Sequence, residues 1–167
     1  MDWKETYDVV VVGSGAGGLV SAITAKNNGL KTLLIEKAEY VGGSSALSGG
    51  GLWIPNNHVS KNAGLEDSED EALLYMETVI EHQGASSSRA RKEAFVKNGP
   101  KMVKYLEDLG IEWLDGILYP DYYPEKPGGK IGRSIECKVF NTKELGEHEK
   151  LLLKPNLSMP FPIYSGK

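Results

Sequence analysis

YDVVVVGSGAGGL, residues 7–19, decides the fold. Tyr7 to Val12 is a short, nearly continuous apolar run rich in valine, which predicts a strand buried on both faces of a parallel sheet. Gly13 to Gly18 follows as a glycine cluster. Leu19, Ala22, Ile23 and Lys26 then recur at helical spacing. Asn27-Asn28-Gly29 stops that helix, with Gly29 suited to the left-handed position just past the last turn. KTLLIE, residues 31–36, reads as a second buried strand. Strand, tight turn, helix and strand together are a βαβ unit, and the fold class is α/β.

Gly13, Ser14, Gly15, Ala16, Gly17 and Gly18 satisfy G-x-G-x-x-G in the context that gives the pattern physical meaning: a strand before it, a helix after it and an acid ending the next strand. Gly13 permits the tight turn, Gly15 lets a pyrophosphate approach the backbone, and Gly18 lets helix and strand pack closely. The helix N-terminus presents N–H groups and partial positive charge to phosphates. Glu36, followed by Lys37, lies 18 residues beyond Gly18, where its carboxylate can accept hydrogen bonds from ribose hydroxyls. An acid there disfavours a 2′-phosphate, so the pattern points to NAD or FAD and away from NADP.

A second cluster, VGGSSALSGGGLWIPNN at residues 41–57, separates those two. In many flavoproteins the chain returns across the dinucleotide with another Gly-Gly pair, and Gly42-Gly43 sits six residues past Glu36. Ser44, Ser45 and Ser48 offer hydroxyls, and Gly49 and Gly50 offer close backbone approach. The cofactor expected is therefore FAD, with its ADP half on the first fifty or so residues. Interleaved Ala46, Leu47, Leu52, Trp53 and Ile54 argue for a packed segment over a flexible linker.

Beyond this, Ser68 and Glu71 form a capping box for a helix over about 69–82, with Ala72, Leu73, Met76, Val79 and Ile80 as its apolar stripe. A helix over about 88–97 and a separate one starting near Pro100 and ending at Gly110 are predicted next. Ile111 to Leu114 suits a short strand, and 116–133 an ordered loop rich in Gly, Pro and Tyr. The Leu/Pro alternation after about Glu147 predicts no clear element. The acidic run Glu66, Asp67, Glu69, Asp70 and Glu71 reads as a helix N-terminus.

The chain of 167 residues carries 19 Lys+Arg against 23 Asp+Glu, a net charge of -4 that argues against a nucleic-acid partner. One cysteine, Cys137, fits a reducing compartment, and no basic segment followed by an apolar stretch opens the chain, so a cytoplasmic location is expected. No apolar run approaches the ~20 residues of a membrane span. His58, His82 and His148 lack ligand spacing, so no metal is expected.

With these residues in hand, the chain resembles the flavoproteins related to fumarate reductase and succinate dehydrogenase, and more closely the 3-ketosteroid Δ1-dehydrogenases. The resemblance rests on YDVVVVGSGAGGL, the Glu36-Lys37 strand end, VGGSSALSGGGLWIPNN, and YPDYYPEKPGG (119–129) followed by GRSIE (132–136). It implies a Rossmann-like FAD-binding fold and a steroid-like substrate. The reaction it implies is the family's, in which a tyrosine base removes a proton α to the 3-oxo group and the adjacent carbon passes hydride to flavin N5. It also implies that Tyr122, the first tyrosine of Pro-Asp-Tyr-Tyr, lies in the active site and supports that base. Arg133 is left between a contact with a neighbouring loop and one with the cofactor.

Members of that family run to several hundred residues, with later strands and the catalytic tyrosine beyond the matched region. The expectation is an N-terminal portion: residues 1–67 as the first βαβ unit and Gly/Ser loop, and 68–167 as a helical and loop segment leading into a substrate domain. A truncated chain, half of a split enzyme completed by a second chain, and a self-sufficient module all fit. The competing functions are a fumarate-reductase-like C=C reductase and a catalytically silent FAD-binding or interaction module.

Overall fold

The valine run forms β1, Val9–Val12, and KTLLIE forms β2, Thr32–Ile35, on either side of α1, Ala16–Asn27. The computed structural model describes residues 5–154, in two compact units: 5–49 with 140–154, and 50–139. The first four residues of the N-terminal segment and the Leu/Pro-rich stretch past 154 lie outside the described residues.

In the first unit β1 and β2 pair in parallel, from Val9 opposite Thr32 to Val12 opposite Ile35. Gly29 follows α1 with φ +79, as its capping role requires. A one-turn helix α2, Gly43–Ala46, leads out of the second glycine cluster. Val41 bridges to the far end of two short 3₁₀ turns over Thr142–Leu151 that meet at a kink at Gly146: its N–H donates to the Leu151 carbonyl at 2.7 Å, and its carbonyl accepts from Leu153 N–H at 2.9 Å. The apolar Leu residues here therefore belong to an ordered element that composition did not predict.

Burial differs from the expectation for β1. Val10 is 52% exposed and Val12 79%, and Leu19, Ile23 and Ile35 are also exposed. α1 has no fully buried residue. A two-stranded layer covered by one helix on one face leaves the alternate side chains of β1 open, and of β2 only Ile35. Hydrogen bonds, not a packed apolar core, define the described part of this unit.

The second unit contains β3 (Leu52–Trp53), α3 (His58–Asn62), α4 (Glu69–Ile80), α5 (Arg89–Asp108), β4 (Trp113–Asp115) and β5 (Ser134–Cys137). Its sheet is antiparallel with order β3-β5-β4. Segment 50–67, grouped by composition with the N-terminal region, packs here. Ser68 caps α4 as expected, its hydroxyl accepting from Glu71 N–H at 3.2 Å.

The two helices expected around 88–109 are one helix of 20 residues with Pro100 inside it. Proline removes one intrahelical hydrogen bond and disfavours a helix interior by about 3 kcal/mol. Packing on both sides of it opposes that cost: Val96, Val103 and Leu106 are buried along α5. Gly99 brings the helix against Ile54, just past β3, since a Cβ there would stand 3.0 Å from Ile54 Cγ2.

The core lies between these helices and the sheet. Ala72, Leu73, Met76 and Val96 form one cluster, joined by Trp53, and Ile54, Val103 and Ile135 form another. Trp53 stacks on Phe95 with centroids 6.0 Å apart and planes at 12°. Beneath these rings the Arg133 side chain is wholly buried between the equally buried carboxylates of Asp67 and Asp121. Asp67, expected to serve the α4 dipole, instead receives two guanidinium bonds, Nε at 2.9 Å and Nη2 at 2.7 Å. Nη1 donates to Asp121 at 3.0 Å and to the Gly128 carbonyl at 2.8 Å.

Two outcomes are expected. Arg133→Met should destabilise the second unit by about 3–5 kcal/mol in urea denaturation, because two buried carboxylates lose their counter-charge. A loss under about 1 kcal/mol would show that the cluster is relaxed by water. In native-state hydrogen exchange, β1 and β2 amides should exchange faster than those of α5 at Val96 and Val103, and equal protection would contradict a coreless first unit.

Candidate dinucleotide site

The turn after β1 begins at Gly13, whose φ of +95 suits glycine and whose N–H donates to the Ile35 carbonyl at 2.7 Å. A Cβ on Gly18 would strike the Gly13 carbonyl oxygen, so glycine is required for α1 to start where it does. The first intrahelical bond of α1 runs from Leu19 N–H to the Gly15 carbonyl at 2.9 Å. The N–H groups of Ala16, Gly17 and Gly18 precede it and form the donor end of a 12-residue helix. Gly17 has nothing within 4 Å of a built Cβ, so the backbone there is open to close approach.

Three chain segments meet at this turn. Ser14, fully buried, donates to Glu36 Oε2 through its backbone N–H at 2.8 Å and its hydroxyl at 2.6 Å. The same hydroxyl accepts from Gly42 N–H at 2.9 Å. Ser45 Oγ accepts from Ala16 N–H at 3.1 Å, tying α2 to the start of α1. Gly42 holds its turn at φ +112, and a Cβ there would stand 2.5 Å from that of Ala46.

Glu36 is therefore a fixed anion. Its pKa falls from 4.5 to about 2 because Ala38 N–H, the Ser14 hydroxyl and Ser14 N–H all donate to the carboxylate, outweighing desolvation. The Ala38 bond, at 2.9 Å, engages Oε1.

Of the residues singled out from sequence, Gly13 to Gly18, Glu36, Gly42, Gly43 and Ser45 come together. Ser44, Ser48, Gly49 and Lys37 belong to the same unit and are exposed. Gly50 and Tyr122 fall in the second unit, where Tyr122 is 93% exposed. Tyr122 sits on the loop pinned by Asp121, which accepts from Trp53 Nε1 at 2.7 Å, from Lys130 N–H at 2.9 Å and from Arg133. The next residue, Tyr123, donates its N–H to the buried Tyr75 hydroxyl at 3.1 Å. Arg133 thus contacts the loop. Sequence reading missed Asp67, Asp121 and Tyr75 as its supports. Asp121 was visible inside the Pro-Asp-Tyr-Tyr stretch, but its partners are remote in sequence. Among the described residues no cluster of His, Cys, Asp and Glu could hold a metal ion, and no helix is long and apolar enough to cross a membrane.

The Glu36 shift has a definite sign. A carboxyl with a lowered folded pKa contributes stability above its ordinary value of 4.5, and that contribution fades as pH falls toward about 2. Glu36→Gln is expected to lower the denaturation midpoint at pH 6, with the gap to the unaltered chain closing between pH 4.5 and 2. A gap independent of pH would place its cause elsewhere.

These residues fit a dinucleotide, with a glycine cradle, a helix donor end and an oriented acid in one place. Residues 8–159 match the family model described as FAD binding domain. The chain is 44% identical over 160 residues to a 3-oxosteroid 1-dehydrogenase of Mycolicibacterium smegmatis, covering 93% of this chain and 27% of that protein. It is also 44% identical over 147 residues to a 4-oxocyclohexanecarboxylate 2-dehydrogenase of Sinomonas cyclohexanicum, covering 85% and 25%. A similar solved structure is 3-ketosteroid delta1-dehydrogenase from Sterolibacterium denitrificans in complex with 1,4-androstadiene-3,17-dione, with a TM-score of 0.76 and 37% identity over 87% of this chain and 26% of that one. The chain spans about a quarter of the length of these relatives. With the glycine turns, Glu36 and the matched span in agreement, the chain belongs to the FAD binding domain family.

Proposed function

We propose that this chain supplies the ADP-side half of the cofactor site, and the start of the substrate domain, of an FAD-dependent dehydrogenase that desaturates a 3-oxosteroid or related cyclic ketone beside its oxo group. The observation that carries the reading is the meeting of both glycine turns with the Glu36 carboxylate through Ser14. Gly13, Gly15, Ala16, Gly17 and Gly18 would hold the pyrophosphate, and Glu36 the ribose. Lys37, Gly43, Ser44, Ser45, Ser48 and Gly49, all in the first unit, would complete the cofactor-binding set. The first unit would accordingly be Rossmann-like, and the second, which takes in 50–67, would lead into the substrate domain.

FAD, when bound, supplies a hydride acceptor at N5. Tyr122 has a supporting role: on its pinned loop it would hydrogen-bond a tyrosine base and favour the phenolate. An unaided phenol, with a pKa of about 10, is a poor base at neutral pH. The base lies outside the matched region. The exposed Val10, Val12, Leu19 and Ile23 are the surface on which further chain, or a second polypeptide, would pack.

A monocyclic oxo acid is the second substrate class, favoured by the equal identity to the 4-oxocyclohexanecarboxylate 2-dehydrogenase. A fumarate-type dicarboxylate has less support. Arg133 is enclosed by Asp67 and Asp121, so its guanidinium is not presented to a substrate, and Arg89 is an exposed residue paired with Glu93 and Glu77. A silent FAD-binding module differs by lacking turnover.

Purified chain is expected to carry flavin absorbance and to unfold at a midpoint that rises with FAD concentration. Colourless protein with an FAD-independent midpoint would defeat the reading. Once joined to the further chain that carries the base, the protein is expected to be bleached anaerobically by a 3-oxosteroid but not by succinate, and retained flavin with no bleaching in that completed protein would leave the silent module. In that completed protein Tyr122→Phe should slow bleaching about tenfold or more without releasing flavin, and unchanged kinetics would remove Tyr122 from the chemistry.

A further inference from the structure

The G-x-G-x-x-G reading counts Ser14 among the residues that touch the cofactor. Its surroundings in the fold assign it elsewhere. The side chain is fully buried, and its hydroxyl is engaged within the protein both as donor, to Glu36 Oε2 at 2.6 Å, and as acceptor, from Gly42 N–H at 2.9 Å; the acceptor lone pair that remains has nothing to offer a phosphate oxygen. We infer that Ser14 is a positioning residue that fixes the Glu36 carboxylate and the Gly42 turn in one arrangement and reaches the dinucleotide only through them.

Oε2 accepts twice from Ser14, through N–H and hydroxyl. Oε1 accepts from Ala38 N–H, and it is the oxygen with capacity left for a ribose hydroxyl. A carboxylate locked in this way pays no rotamer entropy when a ligand arrives. The same hydroxyl transmits the state of the first turn to the second: without it, Gly42 N–H, on a residue that is itself buried, loses its acceptor. Ser45, whose hydroxyl accepts from Ala16 N–H, then becomes the remaining link between the turns. Serine at this position thus selects for a ligand with a ribose diol by orienting the acid that reads it.

The inference rests on the FAD reading, and two measurements on the full chain keep them apart. The first needs no cofactor: ¹³C NMR titration of the Glu36 carboxyl. In Ser14→Ala its midpoint is expected to rise from about 2 toward 4.5, and in Ser14→Thr, which retains the hydroxyl, to stay low. An unchanged midpoint in Ser14→Ala overturns the inference. Ser14→Cys, with only a weak donor, should show the same rise should the alanine variant not fold. The second is FAD affinity by flavin fluorescence. Ser14→Ala is expected to weaken binding about tenfold, Ser14→Thr to restore it, and Ser14→Ala to add little in a Glu36→Gln background. Full additivity of the two losses would show that Ser14 acts on the cofactor directly. Absence of flavin binding by the unaltered chain would overturn the FAD reading, and the titration would still decide whether Ser14 holds Glu36.

Discussion

A single guanidinium, buried with two carboxylates, organises the second unit. Arg133 forms a bidentate pair with Asp67 and a further bond to Asp121, all with side chains at most 1% exposed. Such a group is tolerated only where every charge is compensated. Here the compensation is thorough. Asp67 also accepts from Asn56 N–H and Ser68 N–H, and Asp121 from the Trp53 indole and Lys130 N–H. Replacing all three by apolar residues would leave those donors unsatisfied, so this cluster cannot be exchanged for a hydrophobic one at low cost. It joins β3, the entry to α4, the 116–133 loop and the start of β5. The aromatic groups around it add to the effect: the guanidinium lies 5.8 Å from the ring centroids of both Trp53 and Tyr75.

The consequence is a loop held by side-chain as well as backbone hydrogen bonds. Residues 116–133 carry little regular structure, yet their interior is bonded to strand, helix and side chain. Tyr122 projects from that anchored base.

The first unit obtains its order by a different route. Its described apolar side chains are at best half-buried, and its geometry is set by polar bonds converging on Ser14 and Glu36. Much of this was legible in sequence, because a turn that requires glycine, a helix that must start beside a strand, and an acid at a strand end leave local marks. The role of Ser14 left none: at an x position of the motif its identity carries no periodicity, and only its contacts 22 and 28 residues away give it meaning. Pro100 misled in the opposite direction. Its local preference for a helix start was overridden by burial along both halves of α5.

By itself the sequence determined the βαβ unit, the glycine turns, the acid that follows them and the cap of α4. These are properties of short segments, dictated by backbone sterics and by hydrogen bonds between near neighbours. Only the tertiary structure decided that Arg133 serves Asp67 and Asp121, that the 89–108 helix runs unbroken through a proline, that the valine strand exposes one side, and that Ser14 faces Glu36 and Gly42. Each of these depends on groups far apart along the chain. The free energy of desolvating and pairing them exists only once the fold has brought them into contact, and no local pattern records it.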